Sequence, residues 1–142
     1  MNACKGLLIR SHPILLLALV ATLAACSSKN NSSSPMTAGT AQRAGDFTVT
    51  TQFSPTPPKQ GPETITVSVK DAGAAPVAGA TVKIATKMPS MSMRGPTLTA
   101  MDNGDGTYSA QTNLNYATQW TFDVAVSANG KNGTAHVTQN VK

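Results

Sequence analysis

The feature that most constrains this chain is an alternation of period two. Trp120, Phe122, Val124 and Val126 are separated by Thr121, Asp123 and Ala125. Phe47, Val49, Thr51 and Phe53 alternate with polar neighbours in the same way. So do Ile65, Val67 and Val69 within Thr64–Lys70, and Val82 and Ile84 within Ala80–Lys87. Successive side chains of a strand point to opposite faces, so this pattern marks half-buried strands and excludes an amphipathic helix. Weaker alternations over Thr97–Met101, Tyr108–Thr112 and Thr134–Val141 bring the number of strands to about seven.

The separators carry turn chemistry. Ser54 to Pro62 holds four prolines, which keeps that stretch out of a central strand. Asp71–Gly79 is rich in Ala, Gly and Pro. Asn103-Gly104-Asp105-Gly106 and Asn129-Gly130 supply the positive φ values that tight hairpins need. Asp102–Gly106 also has the flavour of a calcium loop, but Gly104 occupies a ligand position and Asn113 stands where the distal glutamate belongs, so the hairpin reading is preferred. Short strands with turns every eight to twelve residues predict an all-β, immunoglobulin-like β-sandwich. Its core is expected to hold Phe47, Val49, Phe53, Ile65, Val67, Val69, Val82, Ile84, Leu98, Tyr108, Trp120, Phe122, Val124, Val126 and Val137.

Residues 1–45 read differently. Lys5 and Arg10 precede an apolar run from Ile14 to Leu23, too short to span a bilayer comfortably. The run ends in Leu23-Ala24-Ala25-Cys26, which resembles a bacterial lipobox. That resemblance implies a lipoprotein signal peptide over 1–25 and diacylation of Cys26, which would become the mature N-terminus; cleavage by ordinary signal peptidase is the alternative. Two acyl chains give stable anchoring where one does not. Ser27 after the cysteine, rather than Asp, carries no inner-membrane retention signal, so in a two-membrane host the expected address is the outer membrane, facing the periplasm. Residues 26–45 are small and polar and are expected to be a disordered tether, leaving 46–142 as the domain.

Charge and composition narrow the function. The formal charge is +5; loss of Lys5 and Arg10 would leave nine basic against six acidic residues, or +3. The basic residues are scattered and aromatics make up 4% of the chain, so neither a phosphate-tracking patch nor a base-stacking platform is available, and nucleic acid is not an expected partner. With Cys4 in the signal peptide and Cys26 lipidated, the domain has no thiol for a disulfide, a zinc-thiolate site or catalysis. It has one histidine, His136, in a strand pattern that suits a surface or edge position. There is no nucleophile elbow and no phosphate loop, so no enzymatic activity is expected.

The methionines are left. Met88, Met91, Met93 and Met101 fall within fourteen residues. Thioether sulfur is neutral and soft, which suits Cu(I) and needs no deprotonation. Met91 and Met93, two apart, would share a side of an extended segment, roughly 6.5–7 Å apart. Met88 would swing in across Pro89, and Met101 would approach as an auxiliary ligand if Thr97–Met101 folds back as a hairpin partner. The competing explanation is packing, since Met fills gaps in cores well.

Together, Gly79-Ala-Thr-Val82, Met88-Pro-Ser-Met91-Ser-Met93, Asn103-Gly-Asp-Gly-Thr-Tyr-Ser109 and Trp120-Thr-Phe-Asp-Val-Ala-Val126 resemble the YtkA-like/FixH-like domain over about Thr64 to Val126. The family's Met-Pro-x-Met falls on Met88, Pro89 and Met91, its hairpin Tyr on Tyr108 and its strand Trp on Trp120. Two departures are Met93, where a histidine often stands, and Gln119, where a glycine precedes the Trp. The resemblance implies an exported or membrane-anchored sandwich that handles copper, with a copper transporter or oxidase-assembly protein as partner. Two functions are therefore expected: Cu(I) binding and delivery through Met88, Met91 and Met93 with Met101 as auxiliary, or a metal-free structural or interaction module of the cell envelope.

Overall fold

The computed structural model describes Gly39 and residues 41–142. The expected signal peptide, Cys26 and most of the expected tether lie outside the described residues. Among the described residues, nine strands form two antiparallel sheets: β1 (Ala41–Ala44), β2 (Phe47–Ser54), β3 (Gly61–Lys70), β4 (Thr81–Met88), β5 (Met93–Thr99), β6 (Met101–Asp102), β7 (Thr107–Leu114), β8 (Gln119–Ala128) and β9 (Lys131–Asn140). The first sheet runs β1-β2-β3-β7-β6 and the second β5-β4-β8-β9. The described residues form a β-sandwich, as the alternation predicts.

The strand count exceeds seven for local reasons. β1 lies inside the stretch expected to be tether: its polar sequence hides the pairing of Ala41–Ala44 with Phe47–Thr50 across a turn at Gly45. Thr97–Met101 is not one strand. Ala100 turns into the core, ending β5 at Thr99, and Met101 starts β6 on the other sheet. Pro62 sits in central strand β3, against the expectation that the proline-rich stretch stays outside. It can do so because the β2–β3 ladder stops at Ser54↔Thr64, so the missing N–H of Pro62 interrupts nothing on that side.

The expected core residues are buried, apart from Leu98, which is half-buried beside it. Met88, Leu114, Val77 and Val141 join them. The Phe53 and Phe122 rings meet between the sheets at 4.9 Å, and Trp120 stacks against Phe122 at 6.4 Å. The Phe53–Phe122 contact sets β2 over β8. The crossover between the sheets, from β3 to β4, is pinned by Tyr108: its hydroxyl donates to the Val77 carbonyl at 2.6 Å and accepts from the Ala80 N–H at 2.9 Å. Asn129 and Gly130 both take positive φ in the two-residue β8–β9 turn, and Asn103–Gly106 closes the β6–β7 hairpin. Gly133 lets β9 pass close to β1; a Cβ there would fall 1.8 Å from the Ala44 carbonyl oxygen.

The registers sort the loops between two ends of the sandwich. The β4–β5 connection, the β7–β8 connection, the start of β3 and the end of β9 share one end. Backbone bonds stitch this end: Gln60 donates to Lys142, Lys142 to Pro58, and Val141 to Thr118. The Asp71–Ala80, Asn103–Gly106 and Asn129–Gly130 turns occupy the other.

Candidate functional site

Pro89, Ser90 and Met91 make a single 3-10 turn that joins β4 to β5. Proline's fixed φ suits the start of such a turn. Ser92, with φ 52°, takes the left-handed conformation that reverses the chain, and its N–H donates to the Pro89 carbonyl at 3.1 Å. β5 then returns antiparallel, so that Met88 and Met93 stand directly opposite each other. Cross-strand partners share a face, with Cβ atoms roughly 4.5–5.5 Å apart. Met91 lies in the turn between them. The Ser90 and Thr118 hydroxyls, 2.8 Å apart, tie the turn to the β7–β8 connection.

The three methionines differ in exposure. Met88 is buried, on the inner face with Val82, Ile84 and Thr86. Met91 and Met93 are 43% and 42% exposed. The group therefore runs from the edge of the core out to water. Arg94, the neighbouring cation, pairs with Lys87 and so takes the face of β5 opposite to Met93. Trp120 walls the inner side. Its indole N–H donates to the Tyr116 carbonyl at 3.0 Å, and a Cβ on Gly95 would come within 3.3 Å of its ring and 2.3 Å of the Thr86 hydroxyl.

Met101 is not part of this group. It lies on β6 of the other sheet, eight residues beyond Met93, pairs with Ser109 of β7 and is 76% exposed. β5 does fold back on β4, but that return carries Met101 away, because Thr99 pairs with Lys83, well down β4 from Met88. His136 is also separate. On the outer face of β9, its Nδ1 lies 2.7 Å from Asp123, whose other oxygen takes the Lys87 ammonium. Lys87 first, with His136 contributing, holds the Asp123 carboxyl below its ordinary range.

One residue at this end was missed by sequence reasoning. Glu63 is 2% exposed on the inner face of β3, and neither carboxylate oxygen has a hydrogen-bond partner among the described residues. Burial pushes its carboxyl up, and the Lys59 backbone amide offsets part of the rise. The signal was present: Glu63 is in phase with Ile65, Val67 and Val69. Its register partner on β7, Thr112, also has a buried hydroxyl without a partner. Among the described residues no cluster of three or more His, Cys, Asp and Glu side chains is positioned to hold a metal.

Comparison with known proteins supports the architecture. A DUF4426 family protein from Pseudomonas aeruginosa superposes with a TM-score of 0.51 at 19% identity, over 71% of this chain and 94% of that one. The PmoD soluble domain from Methylocystis sp. ATCC 49242 superposes with a TM-score of 0.52 at 12% identity, over 73% of this chain and 98% of that one. At such identities the likeness is one of fold. No curated protein sequence matches the chain. The family model described as YtkA-like matches residues 33–125, which takes in the methionine turn, the Tyr108 hairpin and Trp120: the chain belongs to the YtkA-like family.

Proposed function

We propose that this domain binds Cu(I) at the β4–β5 turn through the thioethers of Met88, Met91 and Met93, and passes the ion to a partner by ligand exchange. The observation that carries this reading is the register that sets Met88 opposite Met93 with Met91 in the turn between them. Long, flexible side chains from three such positions can converge on one ion. Neutral sulfur donors suit a soft monovalent cation and release it more readily than thiolates do. The half-exposure of Met91 and Met93 leaves a partner room to offer competing ligands. Met101 takes no part. The domain is non-catalytic, and diacylation at Cys26 holds it on the periplasmic side of the envelope, on the outer membrane in a two-membrane host, with a copper transporter or oxidase-assembly protein as recipient.

Anaerobic competition against a Cu(I) chelator tests the site. The wild-type domain is expected to take up one Cu(I) per chain. Met91→Ser/Met93→Ser should lose it while keeping the parent melt, because both side chains are half-exposed; Met101→Ser should bind like wild type. Retention of Cu(I) by the double variant would sink the assignment. Anchoring is tested separately by acyl-chain labelling, which Cys26→Ser should abolish. A second reading, an interaction module without metal, is favoured by the exposure of Tyr116 at the same end as Met91 and Met93. It predicts no competition with the chelator at any concentration where the domain is folded.

A further inference from the structure

The methionine end of the sandwich has a second wall, and its chemistry is opposite to that of the first. Met88 and Trp120 line the inner face of the β5-β4-β8-β9 sheet there. Across the interlayer, the last inner residues of β3 and β7 are Glu63, Thr112 and Leu114. The levels match. Phe53, register partner of Ile65, meets Phe122 ring to ring; Glu63 is two residues beyond Ile65 and Trp120 two beyond Phe122, both toward this end. Met88 is one residue past the Lys87↔Thr121 pair and so reaches the same level. Facing sheets lie roughly 10 Å apart, a gap that a Glu from one side and a Met from the other together span.

Three buried oxygens without partners gather here: both of Glu63 and the hydroxyl of Thr112, on directly opposed positions of β3 and β7. A buried carboxylate is costly unless something positive or a donor meets it. Among the described residues no other ionisable side chain occupies the inner face at this level: β2 offers Phe53, β7 Thr112 and Leu114, β4 Met88 and β8 Trp120, while Lys59 and Lys142 belong to the loop and chain end above. Three thioethers, being neutral, would leave a bound Cu(I) with its full positive charge. One wall thus lacks a negative charge and the other lacks a positive one.

We propose that Glu63 is the counter-charge of the methionine site: its carboxylate, with the Thr112 hydroxyl beside it, faces a soft monovalent cation held by the thioethers across the interlayer and neutralises it without being one of its sulfur ligands. The proposal rests on the Cu(I) reading above. It adds that affinity depends on a residue twenty-five positions upstream of Met88, in the opposite sheet. Burial of the Glu63 carboxyl accords with this, since it disfavours the charged form by more than the Lys59 backbone amide restores, and a cation would make up the difference.

Glu63→Gln keeps the shape and removes the charge. Cu(I) affinity of wild type, Glu63→Gln, Glu63→Asp and Met91→Ser/Met93→Ser is measured by chelator competition, with a thermal melt of each metal-free domain and sulfur coordination of each loaded one read by X-ray absorption. The expected result is a loss of roughly tenfold or more in Glu63→Gln, the scale on which an opposite charge a few ångströms away acts in a partly desolvated site. Sulfur coordination should be unchanged, and Glu63→Asp should recover part of the loss. Glu63→Gln that is folded and binds as wild type overturns the counter-charge while the thioether site stands. Loss of sulfur coordination in Glu63→Gln also overturns it, since the residue would then be shaping the turn. Absence of Cu(I) binding by wild type overturns both proposals.

Discussion

A single carboxyl group shows how much one side chain can cost a small core. Glu63 occupies a position that the β3 alternation reserves for an apolar residue, and its folded-state pKa is raised by burial. Below the ordinary value of 4.5 the group is protonated in both folded and unfolded chains and costs little. As pH rises, the unfolded chain gives up its proton first, so stability falls until the folded pKa is passed and the loss is complete. Metal-free Glu63→Gln should therefore melt above wild type at pH 7.5 by roughly 1 kcal/mol, about 4–8 °C for a domain of this size, and the gain should vanish by about pH 4. Melts at the two pH values check the sign. Gly95 makes the converse point. It has no side chain because Thr86 and the Trp120 ring occupy the space, and Thr86 is itself buried and bonded to the Pro96 carbonyl at 2.9 Å. Gly95→Ala should cost about 1–3 kcal/mol in a urea titration, as overpacking does. Of the two, only the phase of Glu63 with Ile65, Val67 and Val69 was legible in the sequence, and it was outweighed by its neighbours. A glutamate beside a proline-rich stretch reads as solvated, and a glycine on an edge strand reads as a turn, until the opposing sheet is in place.

At the scale of elements, hairpins were readable and crossovers were not. Asn129-Gly130 turns with both residues at positive φ, and Asn103–Gly106 turns with Gly104 and Gly106 at positive φ, because short turns are decided by their own residues. The Asp71–Ala80 connection is decided from outside. Tyr108, thirty residues on, holds it through Val77 and Ala80. Tyr108→Phe keeps the ring in the core and strands a buried carbonyl and a buried N–H. The expected loss is about 1–3 kcal/mol, with faster amide exchange at Ala80 as the local readout. Met101 belongs to this scale as well. Its closeness to Met93 in sequence suggested a fourth ligand, but a chain that runs the length of β5 before changing sheets carries Met101 to a different sheet and away from the turn. The β4–β5 turn is the opposite case: Met88-Pro-Ser-Met-Ser-Met93 is local, and its compactness followed from Pro89 and from Met spacing.

For the whole molecule, the consequence of a thioether site is a coupling between metal and fold. A ligand that binds only the folded state stabilises it by about 2.7 kcal/mol at a concentration one hundred times its dissociation constant. Cu(I) held at that excess should raise the melting temperature of the domain by roughly 10–20 °C, and Met91→Ser/Met93→Ser should abolish the shift. Differential scanning under anaerobic conditions reads it directly. A shift that survived in the double variant would place the ion elsewhere.

The sequence by itself determined that this chain is a strand sandwich, which residues fill it and where its tight hairpins fall, because period two and turn chemistry are local properties of the backbone. Only the tertiary structure decided which loops share an end. It set the Trp120 ring against Gly95 beside the β4–β5 turn, sent Met101 to the other sheet and buried Glu63 on the inner face of β3. The physical reason is register: pairing between distant strands fixes what faces what, and no residue carries that information alone.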